Sequence, residues 1–237
     1  RKKLLALLRQ HLATAKTKIE QDFYRNNDGS IYVGQHARCI DDLLILLHNE
    51  AVKFLPHSHD VAVIAVGGYG RGEMAPFSDI DVMFLMPAKA SKKHEAAIEF
   101  MLYLLWDLRL KIGHSTRSIT EAIAAGRYDQ TIMTSFLEMR HVCGNVALWT
   151  KLSTVLRNEI GKNKPLTFVE KKLAERDLRH KRFDDTRYVV EPNVKDGKGG
   201  LRDLHSLFWI AKYAYRADSI MDVLEQGVLR DAEARRF

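Results

Sequence analysis

Along residues 2–21 and again along 36–55, apolar positions recur at intervals of three and four, the spacing of helices that bury one stripe. A polar tetrad, Asn26-Asn27-Asp28-Gly29, predicts a turn between them. The period then changes. Residues 61–66 form a short β-branched run ending in Gly67-Gly68, and residues 80–86 form a second apolar run ending at Pro87; both predict buried strands. From Lys92 onward, Ile98, Met101, Leu102, Leu105 and Leu108 restore helical spacing, and residues 110–119 read as extended around Gly113. Ser118-Ile119-Thr120-Glu121 and Thr167-Phe168-Val169-Glu170 fit the capping box, in which a hydroxyl and a carboxylate satisfy orphan helix amides reciprocally, and predict a helix start at each. The remainder reads as helical through Arg235, apart from a Gly-rich loop at residues 196–200. Trp106, Trp149 and Trp209 fall on apolar helical faces and are expected in the core. The expected fold class is α+β, a small mixed sheet flanked by helices. Residues 1–35 are expected to form an N-terminal helical arm, 36–140 the core, and 141–237 a helical domain.

Composition supports a folded chain: 46% hydrophobic and 28% charged residues over 237 positions sit near globular averages. Cys39 and Cys143 lack the spacing of a disulfide framework or a zinc site, so both are expected to be reduced and packed. No apolar run approaches the roughly 20 residues of a membrane helix, and a cytoplasmic protein is expected. Arg1-Lys2-Lys3 precedes an apolar stretch, but Arg9, His11, Lys16 and Lys18 interrupt it at helical spacing, which predicts an amphipathic helix rather than a leader. The absence of an initiator Met suggests a piece of a longer polypeptide. A net charge of +7 suits an anionic ligand. Basic residues alternate with acidic ones, as in Glu170-Lys171-Lys172 and Glu175-Arg176-Asp177, so the charge reads as solvated helix faces and argues against nucleic acid as a partner.

Chemistry concentrates in Gly67-Gly68 and Asp79-Ile80-Asp81. A strand running into two glycines lets backbone amides approach a ligand closely, and amides at a following helix N-terminus favour phosphate. Ten residues separate Gly68 from Asp79, room for a helical turn and a return to the neighbouring strand. Asp79 and Asp81, two apart on a strand, point to one face while Ile80 and Val82 point into the core. Paired hard-oxygen ligands suit Mg²⁺, and two such ions can clamp an in-line displacement at phosphorus. Alone, Asp-Ile-Asp describes a solvated strand end and Gly-Gly a tight turn; together, at this spacing and after a β run, they describe a nucleotide site. The stretch Gly68-Tyr69-Gly70-Arg71-Gly72-Glu73 lacks the last glycine of a dinucleotide fingerprint, and no P-loop motif exists.

The Gly-Gly, ten-residue gap, Asp-x-Asp pattern resembles the DNA polymerase β-type nucleotidyltransferase superfamily. Longer segments narrow the likeness. Residues 66–81, 105–117, 179–182 (Arg-His-Lys-Arg) and 191–203 (Glu-Pro-Asn-Val-Lys-Asp-Gly-Lys-Gly-Gly-Leu-Arg-Asp) resemble the bacterial PII uridylyltransferase/uridylyl-removing enzymes over nearly the whole chain. The resemblance implies transfer of UMP from UTP to a tyrosine of the PII nitrogen-regulatory protein, release of pyrophosphate, and a requirement for Mg²⁺ or Mn²⁺. It also implies, elsewhere in such enzymes, an HD-type hydrolase domain that removes UMP and two ACT domains that sense glutamine. No His-Asp doublet follows the Asp79-Asp81 motif here, since Arg202-Asp203-Leu204-His205 has the reverse order, so this chain is expected to lack the removing activity and the glutamine response. Two other functions stay open on the residues: adenylylation of glutamine synthetase, and a regulatory module that binds nucleotide without catalysis.

Superfamily members bring a third carboxylate from a later strand. Asp107, just before the strand at 110–119, is the first candidate, with a plain helix-end acid as the alternative; Glu73 is the second. Arg71 is placed to reach phosphate or to pair with Glu73 or Asp79, and Ser78 to donate to a phosphate oxygen or to shape the turn. Lys195, Lys198 and Arg202 flank Gly197, Gly199 and Gly200, either as a cationic flexible edge closing over nucleotide or as a surface loop. His114 reads as a structural histidine. The expected site is thus Asp79, Asp81 and Asp107 as catalytic acids, with Gly67, Gly68, Arg71, Ser78, Lys195 and Arg202 binding nucleotide.

Overall fold

A computed structural model describes residues 2–160, 165–182, 191, 193–217, 220–225 and 227. Two helices open the chain, α1 (Lys2–Asn26) and α2 (Gly29–Phe54). The second starts seven residues earlier than its apolar spacing suggested because Asp28 caps it, its carboxylate accepting from the amides of Ser30 (2.8 Å) and Ile31 (3.3 Å). The sheet follows: β1 (Ala62–Ala65), a one-turn helix α3 (Gly67–Gly70), β2 (Ile80–Met86), α4 (Lys92–Asp107) and β3 (Ile112–Ser118). Then come α5 (Ile119–Tyr128), α6 (Gln130–Phe136), β4 (Arg140–Gly144) and α7 (Val146–Glu159). The strand order is β3-β2-β1-β4, with β1 antiparallel to both β2 and β4 and β2 parallel to β3, so the sheet is mixed as expected.

Every residue of β1 is buried, and β2 is buried from Val82 through Leu85 on both its faces. Ile40, Leu43, Leu44 and Leu47 of α2 and Ile98, Met101, Leu102 and Leu105 of α4 share one core with Val63, Ala65, Val82 and Phe84 of the sheet. Burying each such aliphatic side chain contributes about 2 kcal/mol. Ser118 starts α5 as predicted, its hydroxyl accepting from the Glu121 amide at 3.3 Å while Glu121 accepts from the Ser118 amide at 2.7 Å.

Three expectations fail. Residues 140–144, expected to be helical, form β4, because an open edge of β1 offers unpaired backbone groups that outweigh local propensity. Thr167 does not start a helix: α8 (Pro165–Arg182) already includes it, with Pro165 at the first described helical position, where its missing N–H costs nothing. Trp106 is 46% exposed rather than core, lying edge-on to Tyr103 on the outer side of α4.

Residues 1–153 and 154–237 form two compact units. The second contains the end of α7, all of α8, α9 (Leu201–Tyr215), α10 (Ile220–Glu225) and the Gly-rich loop; beyond Glu225 only Gly227 is described, in a turn, and the rest of the expected helix lies outside the described residues. Among the described residues no helix is long and apolar enough to cross a membrane, and both cysteines are free thiols.

Candidate active site

The antiparallel pairing of β1 and β2 sets Ala65 opposite Val82 and brings the Val66 amide to the Asp81 carbonyl at 3.0 Å. The Gly-Gly turn therefore leaves β1 at the edge where β2 begins. Asp81 shares a face of β2 with Met83 and Leu85, which are fully buried, while Asp79 lies one residue before the strand rather than on it; both acids are exposed. Gly67 has φ +59°, a backbone that favours glycine, and a Cβ there would lie 3.6 Å from Oδ2 of Asp81. On the other side β3 sets Gly113 opposite Asp81, and a Cβ on Gly113 would lie 2.2 Å from Oδ1. Gly113 thus leaves the room that the Asp81 carboxylate occupies, and Gly67 stands within van der Waals distance of its other oxygen.

Arg71 caps α3, and its guanidinium runs beside Gly68, Nη2 lying 3.6 Å from a Cβ built there. It meets two carboxylates: Nε donates to Glu73 at 2.8 Å and Nη1 to Glu138 at 2.6 Å. Glu138 is buried, and sequence periodicity does not single it out because β4, the strand it precedes, lies in a stretch expected to be helical. Ser78 is exposed and closes a turn, its amide donating to the Ala75 carbonyl at 3.2 Å. Asp107 ends α4, and its backbone carbonyl accepts from Arg9 of α1 at 2.8 Å. The strand beside the acids, Ile112-Gly113-His114-Ser115-Thr116-Arg117-Ser118, carries no carboxylate.

A buried network holds α3 in place. Arg140 of β4 donates to both oxygens of Asp41 on α2, at 2.9 and 3.0 Å, and to the carbonyls of Tyr69 and Gly70, each at 3.3 Å. The Tyr69 hydroxyl donates to the same carboxylate at 2.6 Å. Burial first, and then the Asp41 charge, push the Tyr69 phenol up, so it stays protonated as a donor. The missed strand thus supplies the residue that ties the Gly-Gly turn to α2.

Among the described residues, one group outside this edge has metal-ligand spacing: His57, Asp60 and His94. His57 Nδ1 lies 3.0 Å from Asp60 Oδ2 and His94 Nε2 lies 3.5 Å from it. The Ser91 amide, which can only donate, lies 3.0 Å from His94 Nδ1, so the ring proton sits on Nε2 and faces Asp60. Ser91 and His94 form the capping box of α4, and His57 is hydrogen-bonded to Asp60, while His94 Nε2 makes no hydrogen bond. The imidazoles hold the Asp60 carboxyl below the usual range, the His57 hydrogen bond most of all.

In the second unit, Asp203 gathers the segments singled out by sequence. It accepts from Arg179 (2.5 Å) and His180 (2.9 Å) of α8 and from the Gly199 amide of the Gly-rich loop (2.7 Å). The loop is knit further by Gly197 N–H to Asn193 (2.9 Å), Leu201 N–H to Val194 (2.9 Å) and Arg202 N–H to Lys195 (2.8 Å). The Lys195 side chain is exposed; the Arg202 guanidinium lies 5.6 Å from the Trp209 ring centroid, with Lys172 Nζ 5.1 Å from that centroid.

A β strand delivering Gly-Gly to an edge of paired carboxylates is a nucleotidyltransferase arrangement, and residues 47–133 match the nucleotidyltransferase domain family. Residues 167–237 match the GlnD PII-uridylyltransferase family. Bifunctional uridylyltransferase/uridylyl-removing enzymes are 43% identical in Rhodospirillum rubrum over 244 residues, 45% in Rhodopseudomonas palustris over 240, and 43% in Azospirillum brasilense over 240. These alignments cover 99–100% of this chain but 26% of each relative, so the chain spans about a quarter of their length. The chain belongs to the uridylyltransferase/uridylyl-removing enzyme family, as its nucleotidyltransferase part.

Proposed function

We propose that the chain transfers UMP from UTP to a tyrosine hydroxyl of a PII signalling protein and releases pyrophosphate. The observation that carries this reading is the exposed Asp81 carboxylate flanked by Gly67 and Gly113, beside the Gly-Gly turn, in a chain 43–45% identical to enzymes named for that transfer. The donor set fits a divalent cation: Asp79 and Asp81 are exposed hard-oxygen ligands two residues apart at the start of β2, and glycines flank the second of them. Asp79 and Asp81 would hold Mg²⁺ or Mn²⁺, which when bound neutralises phosphate charge and lowers the pKa of a ligated hydroxyl.

The chain's own residues do the rest. Amides of the first turn of α3, at Gly67 and Gly68, have no intrahelical partner and bind the triphosphate. Arg71 caps that turn and adds donors while tethered by Glu73 and Glu138, and Ser78 is our candidate for a further donor. Asp107 remains our candidate for a third acid, and Lys195 and Arg202 for further nucleotide contacts. In the reaction the tyrosine oxygen bonds to the α-phosphorus, the bond to the bridging oxygen breaks, pyrophosphate leaves, and the phenolic proton passes to solvent. The tyrosine, with an ordinary pKa near 10, needs this site to lose its proton at neutral pH.

Incubation with PII, Mg²⁺ and labelled UTP tests the reading. Label is expected on PII, with loss of at least about 100-fold in Asp79→Asn and Asp81→Asn; no transfer of any nucleotide overturns it.

A further inference from the structure

Between the Gly-Gly turn and the acids the chain makes a tight turn at Ala75-Pro76-Phe77-Ser78, closed by the Ser78 amide on the Ala75 carbonyl. Its base is fixed: Met74 is buried, its amide donating to Val33 and its carbonyl accepting from His36 Nδ1, both on α2. Phe77 occupies the third position with φ +65° and is 92% exposed. Positive φ at that position of such a turn belongs to glycine or asparagine, and for a bulky side chain it is an outlier. A large ring there harms the fold twice, through backbone strain and through apolar exposure, with no compensating packing. Tyr128 is equally exposed, but it ends a helix and lacks the positive φ, so among the described residues only Phe77 combines both signs. Such outliers persist where the side chain has work to do.

Phe77 stands two residues before Asp79. Two residues span about 7 Å at most, so whatever brings a hydroxyl to the Asp79–Asp81 edge passes within a side chain's reach of the ring. Small ligands are enclosed by concave, mostly apolar sites, whereas this ring sits at the outer corner of a turn with its surface in solvent. An exposed aromatic of this kind is what a macromolecular partner covers. Resting on the reading above, we propose that Phe77 is a docking contact for the protein that carries the acceptor tyrosine, its ring entering an apolar depression on that protein's surface.

The test is Phe77→Gly in the full-length enzyme, read by melting temperature and by steady-state KM for PII and for UTP separately. Glycine suits the backbone, so the melting temperature is expected to hold or rise. The KM for PII is expected to rise about 10-fold or more, and that for UTP to stay within about twofold. Phe77→Leu, which keeps apolar bulk, is expected to fall between. An unchanged KM for PII alongside wild-type turnover overturns the docking role alone. A rise confined to UTP overturns it in favour of a nucleotide contact. A wild-type enzyme that labels no PII overturns the proposed function and the inference with it.

Discussion

Gly113 is the residue that keeps the Asp81 carboxylate where it stands: opposite it in the parallel β2–β3 register, any Cβ would fall 2.2 Å from Oδ1. The atom in the way is the end of a side chain, so the fold can answer an alanine by turning the carboxylate aside. Gly113→Ala is therefore expected to fold with little change in melting temperature, since alanine suits a strand no worse than glycine. A carboxylate displaced by about 1 Å is expected to cost on the order of 100-fold in turnover. Separate measurement of melting temperature and kcat checks this; a fully active Gly113→Ala enzyme would show that Asp81 works from another rotamer.

Gly70 meets a different obstacle. A Cβ there would lie 2.0 Å from the Glu138 carbonyl oxygen and 3.1 Å from that of Ala65, and backbone does not step aside. Gly70→Ala is expected to destabilise the first unit by about 1–3 kcal/mol, the usual range for overpacking. Denaturant unfolding monitored on the isolated step of the first unit measures it, and an unchanged midpoint would contradict the close approach.

What the sequence made legible was what rests on local periodicity. Residues 61–66 and 80–86 read as strands because β-branched and apolar runs bounded by glycine and proline have few other uses, and Asp79-Ile80-Asp81 declared its face through the two-residue period. β4 stayed hidden because Arg140-His141-Val142-Cys143-Gly144 is only half-buried and owes its conformation to the open edge of β1. Glu138 and Arg140 were missed with it, since their significance lies in partners 67 and 99 residues away. Asp203 shows the converse: the Arg179–Arg182 and 191–203 segments were conspicuous in sequence, but their shared hydrogen-bond centre was not.

The Arg140–Asp41–Tyr69 network is expected to couple energetically. Arg140→Met leaves a half-buried carboxylate facing a phenol, and a loss of about 2 kcal/mol is expected from the charged hydrogen bonds removed. Because Tyr69 donates to the same carboxylate, Asp41→Asn and Arg140→Met are expected to be non-additive in a double-mutant cycle, with a coupling of about 1 kcal/mol or more. The Tyr69 phenol is raised in the fold, so the folded state keeps its proton where the unfolded chain loses it. That contribution is complete below the ordinary tyrosine pKa near 10 and declines as pH rises above it. Tyr69→Phe is expected to flatten the alkaline limb of stability, as midpoints between pH 9 and 11 would reveal.

Asp203 sets the acid limb of the second unit. Burial pushes its carboxyl up, but the Gly199 amide, His180 and Arg179 together outweigh burial and hold it below the usual carboxylate value. A lowered folded pKa means that the unfolded state binds the proton more readily, so the contribution is present above the ordinary aspartate pKa near 4 and is lost as pH falls through the folded value. Acidification from pH 5 to 3 is expected to loosen the tie between α8 and the Gly-rich loop, seen as faster proteolysis or amide exchange at residues 196–200. Asp203→Asn removes the charge and turns one of the two acceptor oxygens into an NH2 donor, so one side chain no longer serves all three donors. It is expected to give that loosening already at pH 7 and to abolish its pH dependence, while the β1–β2 edge bearing Asp79 and Asp81 keeps its exchange protection. Equal loop protection in wild type and variant at pH 7 would mean that the backbone bonds from Gly197, Leu201 and Arg202 suffice to hold the loop without Asp203.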